Sequence, residues 1–230
     1  MNTNKANLIS LAIDRYGLKS VIDVGGCWGV NGAYTFHALA SGQIERAIIL
    51  DGGITDLTRE RAAGDARAEL RQGDIGDADF IDALPHSDAA IIFDVLLHQV
   101  APHWDEFLAR YSQKVDHFII YNPDWNGGDV SIRFADQSMA WYLENVPNAG
   151  RERVCEWFAR HDELFPALNR PWRDVHMFWQ WGIVDVDLIA TMRRLGFQLD
   201  SFNNYGPWSP TFGKIQLDAY LFSKRQSNED

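Results

Sequence analysis

Cysteine is scarce in this chain of 230 residues. Only Cys27 and Cys155 occur, with no CxxC pair and no ligand-like spacing, which argues against a disulfide framework and a structural zinc site and fits a reducing compartment. Long apolar runs are missing too: none approaches the roughly 18 residues of a membrane span. The opening MNTNKANLISLAIDRYG has no apolar core behind a basic stretch and reads as an ordinary helix, not a signal peptide. A soluble, cytoplasmic protein with no membrane partner is expected. Positive charge is in deficit, with 21 Lys and Arg against 32 Asp and Glu, a net charge of −11. Such a balance disfavours nucleic acid and favours a small-molecule substrate. No internal repeat or low-complexity linker divides the chain, so a single domain over 1–230 is expected.

What is present is a rhythm. Short apolar runs predict strands at 20–25, 46–51, 68–73, 88–93 and 116–122, and helical spacing predicts helices near 32–39, 56–64, 77–84 and 103–112. This is the pattern of an α/β protein with helices on both faces of a mostly parallel sheet. After Pro123 the alternation breaks into an insertion, 124–181, rich in aromatics and arginine and without a clear strand. It resumes with a helix at 186–195, a strand at 197–204, a Gly-Pro turn at 206–207, a last strand at 215–222 and a polar tail, KRQSNED.

The chemistry lies at the strand ends. VIDVGGCWGVNG places Asp23 in an apolar run and Gly25, Gly26 and Gly29 directly behind it, the composition of a turn that a ligand approaches along the backbone. RAIILDGG ends in Asp51 and Gly52, 28 residues after Asp23, and the third run ends in Gly73, Asp74 and Ile75. AAIIFDVLLHQV carries Phe93, Asp94 and His98. Four such units in this order resemble the class I S-adenosylmethionine-dependent methyltransferases over nearly all the chain apart from the insertion, with Cys27 where their first motif usually has its middle glycine.

The resemblance implies a Rossmann-like seven-stranded sheet of order 3-2-1-4-5-7-6, with 215–222 as its one antiparallel strand. It also implies S-adenosyl-L-methionine as cofactor: Asp23 with Gly25, Gly26 and Gly29 near the donor's amino-acid part, Asp51 and Gly52 at the ribose, Asp74 and Ile75 at the adenine, Phe93 and Asp94 beside the donor. Structural alternatives stand next to each. Asp23 could cap its own turn, Asp51 could be a solvated loop acid, and Asp74 could cap a helix.

His98 is the candidate base, since a neutral imidazole can take a proton near pH 7; it could equally bond the backbone. His98 and His103 with Asp94 and Asp105 match no metal motif, and no metal is expected. YNPDW, 121–125, is expected as a loop behind the fifth strand. Seven of nine tryptophans lie from Trp125 onward, so Trp125, Trp179 and Trp181 are candidate substrate contacts in a lid, with a satellite core or a homodimer contact as alternatives. Methyl transfer to an oxygen of a small molecule is the leading expectation. A nicotinamide-dinucleotide oxidoreductase, or a non-catalytic adenosylmethionine-binding or scaffold protein, is the alternative; the former needs a G-x-G-x-x-G spacing absent here.

Overall fold

The protein was analysed as a computed structural model in which residues 1–147 and 150–225 are described; the polar tail lies outside them from position 226. Seven strands form one sheet: β1 (Ser20–Val24), β2 (Arg46–Asp51), β3 (Ala68–Gln72), β4 (Ser87–Phe93), β5 (Val115–Trp125), β6 (Phe197–Pro207) and β7 (Ile215–Lys224). The helices are α1 (Thr3–Tyr16), α2 (Ala33–Ala40), α3 (Asp56–Ala63), α4 (Ala78–Asp82), α5 (Trp104–Tyr111), α6 (Met139–Asn145), α7 (Arg151–Ala159) and α8 (Asp185–Arg194). In space the strands run β3-β2-β1-β4-β5-β7-β6. β1 to β5 are parallel, and β7 is antiparallel to both β5 and β6. A link with no crossover helix permits only that reversal.

Apolar side chains alternate between two layers. Ile22, Val24, Leu50, Ile92 and Ile120 pack under α4, α5 and α8, while Val21, Ala47, Ile91 and Ile119 pack under α1 and α2. Each face buries a continuous core, which pins the register, since a one-residue slip would exchange the two sets.

Three expectations are corrected. YNPDW is not a loop: it is the end of β5, paired with β7 from Tyr121↔Ala219 to Trp125↔Ile215. Pro123 is tolerated because β4 ends at Phe93, opposite Tyr121. Trp125 N–H donates to the Ile183 carbonyl, away from β7, and two residues earlier the proline nitrogen faces that same side, where no strand needs a donor. The Gly-Pro turn at 206–207 is likewise inside β6, at an irregularity between Asn204 and Pro207, with Gly206 at φ +89; the chain reverses beyond it. Finally, the insertion holds short strand pairs, Ile132–Arg133 with Trp181–Gly182 and Leu164–Phe165 with Arg170–Pro171.

The insertion has its own core. Trp125, Phe134, Tyr142, Val154, Trp157 and Phe178 form a cluster separate from both sheet layers. Most of the aromatic excess is thus a satellite core, and Trp125, buried among Phe134 and Trp141, belongs to it.

Three buried carboxylates resist ionisation. Asp124 accepts from Asn122 Nδ2 (2.6 Å) and from Tyr220 Oη, and burial pushes its carboxyl well above the ordinary range. Burial also raises Asp23 and Asp218 from 3.8 to about 6. The folded protein holds protons that the unfolded chain has released, so this contribution to stability falls as pH rises from 3.8 through about 6. Asp124→Asn keeps the shape of the neutral acid without its charge. It is expected to gain on the wild type by a few degrees in melting temperature as pH rises above the ordinary carboxylate value of 3.8, measured by calorimetry. A variant that melts lower than wild type throughout would refute proton retention at Asp124.

Candidate functional site

Acids mark the ends of four adjacent parallel strands. Asp23 lies within β1, Asp51 closes β2, Asp74 follows β3 and Asp94 follows β4. The carboxylates therefore share the carboxyl edge of the sheet, where open α/β sheets bind ligands.

The turn between β1 and α2 is shaped by backbone. Gly25 stands at φ +74, and a Cβ on Gly26 would meet the Asp23 carboxylate at 2.6 Å. Both glycine N–H groups donate to the Leu50 carbonyl. Asp51 completes the fixation: Oδ2 accepts from the N–H of Cys27 (2.9 Å) and Trp28 (3.2 Å), and Oδ1 accepts from Gly53 N–H (2.9 Å). Asp51 is thus no solvated loop acid but a buried anchor, and Oδ1 retains capacity for another donor. Gly29, at φ +68, continues the turn, and exposed Gly52 offers a carbonyl to Gln72. Cys27 turns into a small apolar pocket with Ile49 and Ile54, which is why a side chain is tolerated there. Trp28, 84% exposed, is the outermost part of the loop.

Asp23 is 2% exposed and accepts from Thr35 Oγ1. Burial raises its carboxyl to about 6, the Thr35 bond works against that rise, and the charge of Asp51 adds to it. A cation placed above this edge would favour the ionised form of Asp23.

At β3, Asp74 Oδ1 accepts from Gly76 N–H (2.9 Å), and Oδ2 is taken by Arg170 Nη2 (3.2 Å) from the insertion. The helix is capped instead by Asp77. Ile75 is half-buried, and its carbonyl accepts from Tyr111 Oη.

Arg170 begins a chain of contacts that ties the insertion to this edge. Its Nη1 lies 3.0 Å from His176 Nε2, and His176 Nδ1 lies 3.1 Å from the His98 carbonyl. His98 Nδ1 lies 3.0 Å from the Phe178 carbonyl. Carbonyls only accept, so both histidines carry the proton on Nδ1, which leaves the lone pair of His98 on Nε2. Burial lowers the basicity of His98 and keeps it neutral at pH 7. Trp181 Nε1 donates to the Gln99 carbonyl (2.7 Å), with its ring against His103, and Trp179 meets Trp208 edge to face.

Beyond β4, Phe93 lies edge-on to Tyr34 and Tyr121. Asp94 pairs with Lys5 of α1. Lys5, Tyr34 and His176 were not singled out from the sequence. One signal existed: Lys5 interrupts the apolar stripe of α1 formed by Leu8, Ile9, Ala12 and Ile13. Among the described residues no group of three or more His, Cys, Asp or Glu side chains could hold a metal ion, and no helix is long and apolar enough to cross a membrane.

No protein-family model matches the sequence, and no curated protein matches it. Solved structures do. A 1,6-didemethyltoxoflavin-N1-methyltransferase from Burkholderia thailandensis, crystallised with 1,6-didemethyltoxoflavin and S-adenosylhomocysteine, aligns at 14% identity and TM-score 0.62, covering 96% of this chain and 78% of its own. The fold is that of the class I methyltransferases. The N-terminal domain of EvdMO1, solved in the presence of SAH and D-fucose, aligns at 12% identity and TM-score 0.63, covering 97% of this chain and 84% of its own. The mitomycin 7-O-methyltransferase MmcR aligns at 15% identity and TM-score 0.55, covering 96% of this chain but 53% of its own.

Proposed function

We propose that this protein is an S-adenosylmethionine-dependent methyltransferase acting on a small molecule, with an oxygen as acceptor. The observation that carries this reading is the row of carboxylates, Asp23, Asp51, Asp74 and Asp94, along one sheet edge, next to a glycine turn whose Cys27 and Trp28 amides are already bonded to Asp51. Such an edge suits a ligand rich in donors and positive charge: ribose hydroxyls, an exocyclic amine, an ammonium and a sulfonium. It opposes a pyrophosphate, which would need free amides and would meet a row of carboxyl groups instead. A dinucleotide oxidoreductase is disfavoured on that ground. S-adenosylmethionine would supply an already activated methyl group. The chain's part is to hold the donor, exclude water and orient the acceptor.

In this reading Asp51 Oδ1 with Gly52 faces the ribose, Asp74 and Ile75 the adenine, and Asp23 with the glycine turn the amino-acid part. The insertion, 124–181 within a single domain, acts as the lid; its contacts from Arg170, His176 and Phe178 to Asp74 and His98 support that role. The neighbouring proteins solved with 1,6-didemethyltoxoflavin or with D-fucose support a small-molecule acceptor.

Titration calorimetry with S-adenosylmethionine, S-adenosylhomocysteine and NAD tests the proposal. Binding of the first two without NAD is expected. NAD binding alone would overturn it, and binding without turnover across an acceptor screen would leave a binding protein. Arg170→Met frees the Asp74 carboxylate, so it is expected to raise S-adenosylhomocysteine affinity about two- to fivefold, the worth of a partly exposed ion pair, and to speed hydrogen exchange around 170–178. Weaker donor binding in this variant would instead make Arg170 part of the donor site.

A further inference from the structure

Lys5 is 7% exposed, and buried lysines need partners. Its Nζ pairs with Asp94 Oδ2 across 89 residues of chain. Around the ammonium stand the rings of Tyr121, Phe93 and Tyr34, with centroids at 4.9, 5.7 and 5.8 Å. Tyr205 stacks on Tyr121 at 5.8 Å. Asp94 is held at φ +56, an uncommon conformation for a residue other than glycine and one often found at functional sites. Its Oδ1 is buried and has no hydrogen-bond partner among the described residues. Among those residues Asp94 Oδ2 is the hydrogen-bond partner found for Lys5 Nζ, and the three rings stand around the rest of the ammonium. An orphan acceptor beside a cation with spare N–H groups is costly unless something completes it.

We propose that the Lys5–Asp94 pair is the acceptor site, taking a hydroxyl borne on a flat ring: Asp94 Oδ1 accepts its proton, Lys5 Nζ donates to its oxygen, and Phe93, Tyr34 and Tyr121 wall the ring. The inference rests on the methyl-donor reading of the adjacent strand ends. A hydroxyl both donates and accepts, which matches one free carboxylate oxygen next to one ammonium. A ligand carboxylate would be repelled by Asp94 and a ligand ammonium by Lys5. In the transfer, the hydroxyl proton passes to Asp94 while the oxygen's electron pair forms the O–CH3 bond. The methyl–sulfur bond breaks with its electrons left on sulfur, so the sulfonium departs as a neutral thioether and Asp94 ends as a neutral acid. His98 then serves to hold the insertion, since its Nδ1 and carbonyl are both engaged there.

The test uses 4-nitrophenol, whose visible absorbance distinguishes phenol from phenolate, with the full chain saturated with S-adenosylhomocysteine. At a pH where the free probe is mostly protonated, wild type is expected to bind it saturably with a shift toward the phenolate spectrum. Lys5→Met and Asp94→Asn should weaken that binding about tenfold or more and abolish the shift. S-adenosylhomocysteine affinity, measured by calorimetry on the same samples, should change less than about threefold in every variant, which also reports that they are folded. No shift in wild type, or a shift that survives in folded Lys5→Met or Asp94→Asn, overturns the acceptor site. A wild type that fails to bind S-adenosylhomocysteine overturns the donor reading beneath it.

Discussion

Asp51→Ala is expected to lower the affinity for S-adenosylhomocysteine about a hundredfold, close to 3 kcal/mol, and to lower the melting temperature as well. Two losses combine. The carboxylate makes three hydrogen bonds to main-chain N–H groups of the turns behind β1 and β2, at Cys27, Trp28 and Gly53, and bonds to an ionised acceptor are worth about 1.5–3 kcal/mol each. The proposed ribose contact on Oδ1 goes with them. Asp51→Asn keeps one acceptor oxygen but points an amide N–H at the backbone donors, so it should fall between wild type and alanine. Calorimetric titration gives the affinity, and a thermal melt separates loss of the ligand contact from collapse of the turn. A folded Asp51→Ala protein with unchanged affinity would remove Asp51 from the site altogether.

The same residue shows what the sequence makes legible. An acid at the end of an apolar run is visible in RAIILDGG, and parallel neighbours follow from alternation, so the acidic edge could be anticipated. The three amides that Asp51 accepts from could not, because two of them belong to a turn 23 and 24 residues away. Strand ends were the weaker part of the reading. NPDW resembles a loop because proline punctuates loops, yet β5 continues through it once β4 has stopped and β7 alone sets the pairing. The Gly-Pro pair misled in the same way, since a bulge uses the same residues as a turn.

Within the insertion the composition was legible and the arrangement was not. Aromatic density pointed equally to a lid and to a satellite core; Trp157 and Tyr142 fill such a core, while Arg170, His176 and Phe178 of the same segment reach the strand ends. Nothing local marks Arg170 as the residue that meets Asp74, 96 positions earlier in the chain. Lys5 is the clearest case. Read along α1 it is a polar interruption, and only the neighbouring ends of β4 and β5 together with α2 give its ammonium a carboxylate and three rings.

Trp157→Ala is expected to unfold the insertion while leaving the sheet intact. Trp157 is 1% exposed, lies parallel to Phe178 at 4.3 Å and edge-on to Tyr142 at 5.3 Å, and donates from Nε1 to the Trp172 carbonyl at 2.6 Å. Removing so large a side chain from a packed core costs about 3–5 kcal/mol, and the Trp172 carbonyl loses its donor besides. Because this cluster is separate from the two sheet layers, the damage should stay local, as expected for a cooperative unit of its own. Phe178 supplies the carbonyl that holds His98, so loss of its stacking partner should also release the insertion from the strand ends. The expected result is a second, lower-temperature transition and rapid hydrogen exchange over 151–178, with S-adenosylhomocysteine affinity within about fivefold of wild type but methyl transfer lost. The affinity survives because the acids proposed to hold the donor, Asp23, Asp51 and Asp74, stand at the ends of β1, β2 and β3. A single transition at lower temperature, with donor binding lost in step, would mean that the insertion is part of the sheet's own cooperative fold and not a lid upon it.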